Sequence, residues 1–314
     1  MSTTTPSPWP SRLTLAAALF ALPLVLFGGS VTTIGAGMAV EGWLVAEGHF
    51  LVFFPVEEWF RDVGTFVEHT HRLWGVLVGL CCLASVLVCW LSKRELGPAL
   101  IALGAVCVQG TIGGLRVEER SPDLAFLHGV FGQITLAILF AVALVLSKRW
   151  RDSATEQRVD PLAKKAALIL IVVLVGQVTL GALYRHELRP TPTDGAVMKL
   201  MLHMTGALAV MGAVIFAAKG LKSAGLALGD AGAPLVGAAK RLHMLFGLQI
   251  VLGLVAWQGY SPNAVGPLEW TVSILHVLFG GLFLAQAICA WLWCGRLASG
   301  TNTASVPVQA GGAA

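Results

Sequence analysis

An all-α fold is predicted: a polytopic membrane protein of eight transmembrane helices arranged as two parallel-repeat four-helix bundles. Three observations carry that expectation. The 314 residues are 56% hydrophobic and only 12% charged, with a mean hydropathy of +0.78, more apolar surface than one soluble core of this length can hide. Eight largely uncharged runs approach or exceed the length of about 20 residues that spans a bilayer as a helix. Short motifs also recur in the same order in the two halves of the chain.

Taken in order, residues 1–12 form a tail rich in Ser, Thr and Pro that is expected to be disordered. The run 13–35 follows Arg12; it is longer than the apolar region of a signal peptide and no small-x-small site closes it, so it reads as a span. Runs 66–91, 95–115 and 124–146 complete an N-terminal half, 13–147. The basic stretch 148–165 links it to a C-terminal half, 166–296, with runs 166–184, 198–218, 241–258 and 270–294. Residues 297–314 are a second tail expected to be disordered.

With both termini placed in the cytoplasm, inner segments hold 14 of the 21 Lys and Arg residues, the bias that orients membrane proteins. The outer segments hold Arg61, Arg72, Arg116, Arg120, Arg185, Arg189 and Lys199. The formal charge of +4 is therefore a feature of topology and gives no reason to invoke nucleic acid. The partner surface is a lipid bilayer. A bacterial plasma membrane is preferred over a mitochondrial inner membrane because the N-terminus is short and poor in basic residues. All six cysteines fall in predicted spans, so no loop disulfide framework is expected and the thiols read as small hydrophobes.

The repeat shows in four places. "SVTTIGA" (Ser30 to Ala36) resembles "QVTLGA" (Gln177 to Ala182), and "VQGTIGG" (Val108 to Gly114) resembles "LQIVLGL" (Leu248 to Leu254). "HGVFGQ" (His128 to Gln133) resembles "HVLFGG" (His276 to Gly281), and the second span of each half has a histidine with a glycine soon after, His71/Gly75 and His203/Gly206. An even number of spans separates the halves, so the repeats are parallel.

The histidines sort by this repeat. His71, His128, His203 and His276 lie one each on the second, fourth, sixth and eighth spans, roughly 6–10 Å in from the outer end at 1.5 Å per residue. Imidazoles inside a membrane need partners, which makes function the default reading. Four together would suit one zinc ion, but a duplication gives two equivalent sites. Two facing imidazoles per half suit a haem iron: His71 with His128, and His203 with His276. Nearby glycines fit the approach of a flat ligand, and equally fit close helix packing. His49 and His186 read as surface residues, His243 as interfacial, and His69 lies on a different helix face from His71. Two sites side by side near one face are poorly placed for electron transfer across the bilayer and well placed for lateral transfer.

Glu68-x-x-His71-Arg72 resembles the E-x-x-H-R motif of haem A synthases, and "GGSVTTIGAGM" is similar to that family's first-span segment. "LHG" at His128 and the histidines of the sixth and eighth spans fall where the family places its other haem ligands. The resemblance covers about 13–296. It implies oxidation of the C8 methyl of haem O to a formyl group, giving haem A for a terminal cytochrome oxidase. The N-terminal half would hold haem O and then haem A through His71 and His128, and the C-terminal half would hold haem b through His203 and His276. A haem O synthase is the partner implied for substrate delivery, and an electron donor is required that no motif identifies. The chain departs from the family at Thr33, where an arginine is frequent, and in loop 37–65, which lacks a cysteine pair.

Glu68 lies three residues before His71 and four before Arg72, on one helix face. It reads as a proton relay beside a haem edge, or as a helix N-terminal acid in an i,i+4 ion pair. Arg72 is the first choice for a propionate-binding cation, and the other outer cations are alternatives. Loop 37–65, with Trp43, Phe50, Phe53, Phe54 and Trp59, reads as an interfacial lid or anchor. Two other functions remain open: a di-haem cytochrome b oxidising quinol, and a haem carrier. A carboxylate beside a ligand histidine favours the synthase.

Overall fold

A computed structural model describes residues 7–93, 95–153, 159–187, 194–261 and 264–298. Eight long helices dominate: α1 (Trp9–Thr33), α3 (Val63–Leu91), α4 (Leu96–Glu118), α5 (Pro122–Val145), α7 (Pro161–Glu187), α8 (Asp194–Ala227), α9 (Ala233–Gln258) and α10 (Pro267–Ala298). All eight are long and apolar enough to cross a membrane, and the molecule is an integral membrane protein. Between α1 and α3 a two-stranded antiparallel hairpin, β1 (Val45–Ala46) and β2 (His49–Phe50), precedes a 3-10 turn (Leu51–Phe53) and the short α2 (Val56–Trp59). A second short helix, α6 (Lys148–Arg151), follows α5.

The helices begin where local chemistry starts them. Asp62 caps α3 by accepting from the Thr65 amide at 2.9 Å, and Ser121 caps α5 from the Leu124 amide at 3.2 Å with Pro122 next in line. Two expected boundaries move. The N-terminal tail ends earlier than 12, because Pro10 pre-sets the first turn of α1 and its carbonyl accepts from Thr14 and Ser85. Leu297 and Ala298 still belong to α10. Residues 1–6 and 299–314 of the expected tails, with Arg94, Arg158 and Arg189, lie outside the described residues.

Each long helix pairs with its sequence neighbour: α1 with α3, α4 with α5, α7 with α8, and α9 with α10. Helices α1, α5, α7 and α10 meet between the two halves. There Trp270 Nε1 donates to Ser30 Oγ at 2.8 Å, Gly281 makes room for the Gln133 side chain, and Gly29 lies against Ile274. At the opposite end Arg296 donates to the carbonyls of Trp150 and Arg151, tying α6 to α10. The predicted linker is thus docked at its start.

The α1–α3 connection is ordered by charge. A two-residue turn with both φ values positive, Glu47 (47°) and Gly48 (83°), closes the hairpin. Arg61 grips both oxygens of Glu47 at 2.8 Å and the Ala39 carbonyl at 2.9 Å. The hydrogen bond from Arg61 holds the Glu47 carboxyl below its ordinary range, and the amide and hydroxyl of Thr65 do the same for Asp62. Depressed carboxyl pKa values give stability that is whole above the unfolded value and is lost as pH falls through the folded one. Protection of this loop from added protease should therefore stay constant from neutrality to about pH 5 and fall only under about pH 4. Loss of protection already at pH 6 would show that other groups hold the loop.

Candidate functional site

The four histidines come together as two pairs at the end of the bundle that carries the α1–α3 loop. The ring centres of His71 and His128 are 6.2 Å apart with planes at 83°. Those of His203 and His276 are also 6.2 Å apart, at 79°. All four are half-buried, and within each pair the rings stand nearly perpendicular. A metal–nitrogen bond of about 2 Å on either side, with about 1.1 Å from nitrogen to ring centre, spaces two imidazoles on opposite sides of one metal by about 6.2 Å. No cluster of three or more His, Cys, Asp or Glu suited to a metal ion occurs among the described residues, so the four histidines stand as two pairs and not as one group of four.

What aims the rings is a reciprocal packing that repeats in all four helix pairs. On the first helix of each pair a glycine lies against the histidine: a Cβ on Gly28, Gly113, Gly181 or Gly253 would stand 2.7, 2.6, 2.9 or 3.2 Å from Cε1 of His71, His128, His203 or His276. One turn earlier on that helix stands Leu24, Gln109, Gln177 or Gln249. Its side chain faces a glycine three or four residues after the histidine, namely Gly75, Gly132, Gly206 or Gly280. The three glutamines also donate to the backbone carbonyls of His128, His203 and His276 at 3.0, 2.8 and 3.0 Å. These contacts set Gly28 against Gly181 and Leu24 against Gln177, so the register read from the sequence, with Ser30 opposite Gln177, is displaced by about two turns. Shared Val-Thr letters produced the wrong alignment.

The backbone also sets ring chemistry. His71 Nδ1 donates to the Leu24 carbonyl at 2.9 Å, and His203 Nδ1 to the Gln177 carbonyl at 3.2 Å. In each ring this leaves the Nε2 lone pair as the available ligand, the arrangement usual for metal-binding histidine.

Glu68 and Arg72 are committed to the loop. The Glu68 side chain is 1% exposed. It accepts from the Val40 amide at 3.0 Å and from Arg72 at 2.8 Å, with Arg116 at 3.8 Å. Arg72 spends its two terminal nitrogens on the carbonyls of Gly42 and Val40 and on Glu68. Gly42, at φ 83°, has no room for a side chain beside the Val45 carbonyl. Trp43 lies flat on Gly114, where a Cβ would stand 2.0 Å from the ring. His69 sits in the loop's aromatic box, 4.6 Å from Phe54 and 5.1 Å from Trp59 by ring centres, and takes no part in the His71–His128 pair.

The remaining cations at this end sort clearly. Arg120 pairs with Glu41 and Lys199 with Glu187. Arg116 donates to the Gly37 carbonyl. Arg185 donates to the Gly29 carbonyl at 2.6 Å and to Thr33 Oγ1 at 2.5 Å. His186 is in α7 and not in a loop: α7 runs on to Glu187, and the ring packs on Gly129 and edge-on to Phe126 of α5. His49 is exposed on β2. His243 lies well inside α9, bonded to the Ala239 carbonyl of its own helix. The sequence reading missed the roles of Gln177, Gly28 and Gly181; the spacing Gln-x-x-x-Gly at 109, 177 and 249 was the signal available.

Comparison with known proteins adds relatives. A haem A synthase of Beijerinckia indica is 29% identical over 201 residues, 53% of this chain and 55% of that protein. Haem A synthases COX15 of Homo sapiens and Bos taurus are 33% and 35% identical over 87 and 88 residues, each alignment taking in 26% of this chain and 21% of theirs. The chain thus aligns with about half of the bacterial relative and about a fifth of the mammalian ones. The COX15-CtaA family model, described as cytochrome oxidase assembly protein, matches residues 11–189, more than half of the sequence. With that match and these relatives, the chain belongs to the COX15-CtaA, haem A synthase family.

Proposed function

We propose that this protein is a haem A synthase, oxidising the C8 methyl of haem O to a formyl group. The observation that supports this most directly is the pair of imidazole pairs, each with the spacing of two ligands on one iron, in a chain of this family. The half 13–147 takes haem O as substrate between His71 and His128. The half 166–296 keeps a haem b between His203 and His276. The fit of the second pair rests on its own residues: His203 Nδ1 is taken by the Gln177 carbonyl, which leaves Nε2 free, and Gly181 and Gly253 let the two rings approach.

A bound haem b supplies a one-electron iron couple. The chain's own contribution is binding, orientation and proton handling. Leu24 and Gln177 carbonyls fix the tautomers of His71 and His203. Glu68, three residues from His71 and shut away from water, would take up protons released as the methyl group is oxidised, the electrons passing to an acceptor that this chain does not supply; such transfer contributes typically 10²–10⁴-fold. Arg72 and Arg116 orient that carboxylate. The bonds of Arg72 to Val40 and Gly42 make it a positioning residue for the loop in preference to a propionate ligand. Trp43 on Gly114, with Phe54 and Trp59 around His69, closes the loop over this end and keeps water out. Both termini and α6 lie on the cytoplasmic side by the distribution of Lys and Arg, so the two pairs lie toward the outer face. Haem O comes from a haem O synthase, directly or through the bilayer.

Co-expression with a haem O synthase followed by mass analysis of extracted haems should give formyl-bearing haem A; unchanged haem O would turn the reading to a di-haem electron carrier or a haem carrier. Glu68→Gln should retain haem content while haem A formation falls by about 10²-fold, and full activity would remove its proton role. His276→Ala should lose haem b and keep haem O, read by pyridine haemochrome spectra; the opposite loss would overturn the assignment of halves.

A further inference from the structure

Arg185 is the one described cation at the loop end of the bundle whose charge meets no carboxylate among the described residues. Arg61, Arg72, Arg120 and Lys199 all have acidic partners, and Arg116 has Glu68 at 3.8 Å. Arg185 has only neutral oxygens, and they lie on another helix. An uncompensated guanidinium within a spanning helix is costly and marks a functional position. A snorkelling arginine would extend its head toward the membrane surface. This one turns inward instead, to the carbonyl of Gly29, four residues before the last residue of α1.

Its surroundings say which ligand it would meet. Arg185 stands one turn beyond Gly181, the glycine packed on His203. Gly29, which it clasps, lies against Ile274 of α10, two residues before His276. Arg185 is therefore at the seam of α7, α1 and α10, beside the second imidazole pair. Only Nη2 is engaged; no described group accepts from Nη1 or Nε, which leaves one edge of the guanidinium for a two-point grip on a carboxylate. His186 offers it no acceptor, since that ring turns away to α5.

We propose that Arg185 binds a propionate carboxylate of the macrocycle held between His203 and His276, so that the ligand of the C-terminal half is tied through one guanidinium to α1 of the N-terminal half. The inference rests on the haem reading above. Thr33 and the Gly29 carbonyl position the guanidinium, and the anion completes its shell.

The test uses the full chain in detergent, stripped of haem and titrated with ferric protohaem or with its dimethyl ester, whose carboxylates are blocked. Low-spin absorption is read, and the portion lost in His203→Ala is assigned to the second pair. For that portion the acid should bind about tenfold tighter than the ester, and Arg185→Met should weaken the acid by about tenfold while leaving the ester unchanged. Arg185→Lys, which keeps the charge, should fall between. Should Arg185→Met fail to fold, the acid-to-ester ratio in the unsubstituted chain and in Arg185→Lys decides. Equal binding of acid and ester, or an unchanged ratio in either variant, overturns the proposal. Absence of low-spin absorption with both probes overturns the paired-imidazole reading itself, a separate failure.

Discussion

The fold depends on side chains sinking into glycine notches in both directions across each helix pair. In lipid no hydrophobic gain drives helices together, so close approach at small residues and polar contacts must do it. Here the approach also aims the chemistry. With a Cβ at Gly28, Gly113, Gly181 or Gly253 standing 2.6–3.2 Å from an imidazole carbon, an alanine there has to move the ring or part the helices. Notch, ring direction and the 6.2 Å spacing are one constraint expressed three times.

A second layer holds the loop to this frame. Glu68 and Arg72 lie one turn apart on α3 and together bind the backbone at Val40 and Gly42, so the residues flanking His71 also fasten the segment above it. Trp43 on Gly114 extends the same fastening to α4, the helix that carries Gly113. The loop and the first imidazole pair therefore share supports on α3 and α4. The second pair has no such lid among the described residues; its support comes from the seam where α1, α7 and α10 meet.

The sequence made the spans plain, because a bilayer imposes length and apolarity on every crossing, and the recurrence of one histidine in every second span foretold the two pairs. The motif Glu68-x-x-His71-Arg72 was legible as a helical face, though not what the face touches. Loop partners such as Val40 and Gly42 are backbone groups, and nothing in residue type advertises them. Register between α1 and α7 was misjudged because letter similarity at Val-Thr outweighed position, whereas the packing obeys Gly28 and Gly181. Arg185 and His186 were placed in a loop or on the surface because their run of apolar residues ends at 184; the helix carries on to Glu187, and both side chains turn back toward neighbouring helices.

One of the four hairpins breaks the pattern. Where the others have glutamine, α1 has Leu24, so the carbonyl of His71 receives no side-chain amide while those of His128, His203 and His276 each do. Stapling differs between the two pairs accordingly: both rings of the second are fastened through their own main chain, only one of the first. Position 24 is thus the point at which the two otherwise matching pairs differ in how their helices are tied.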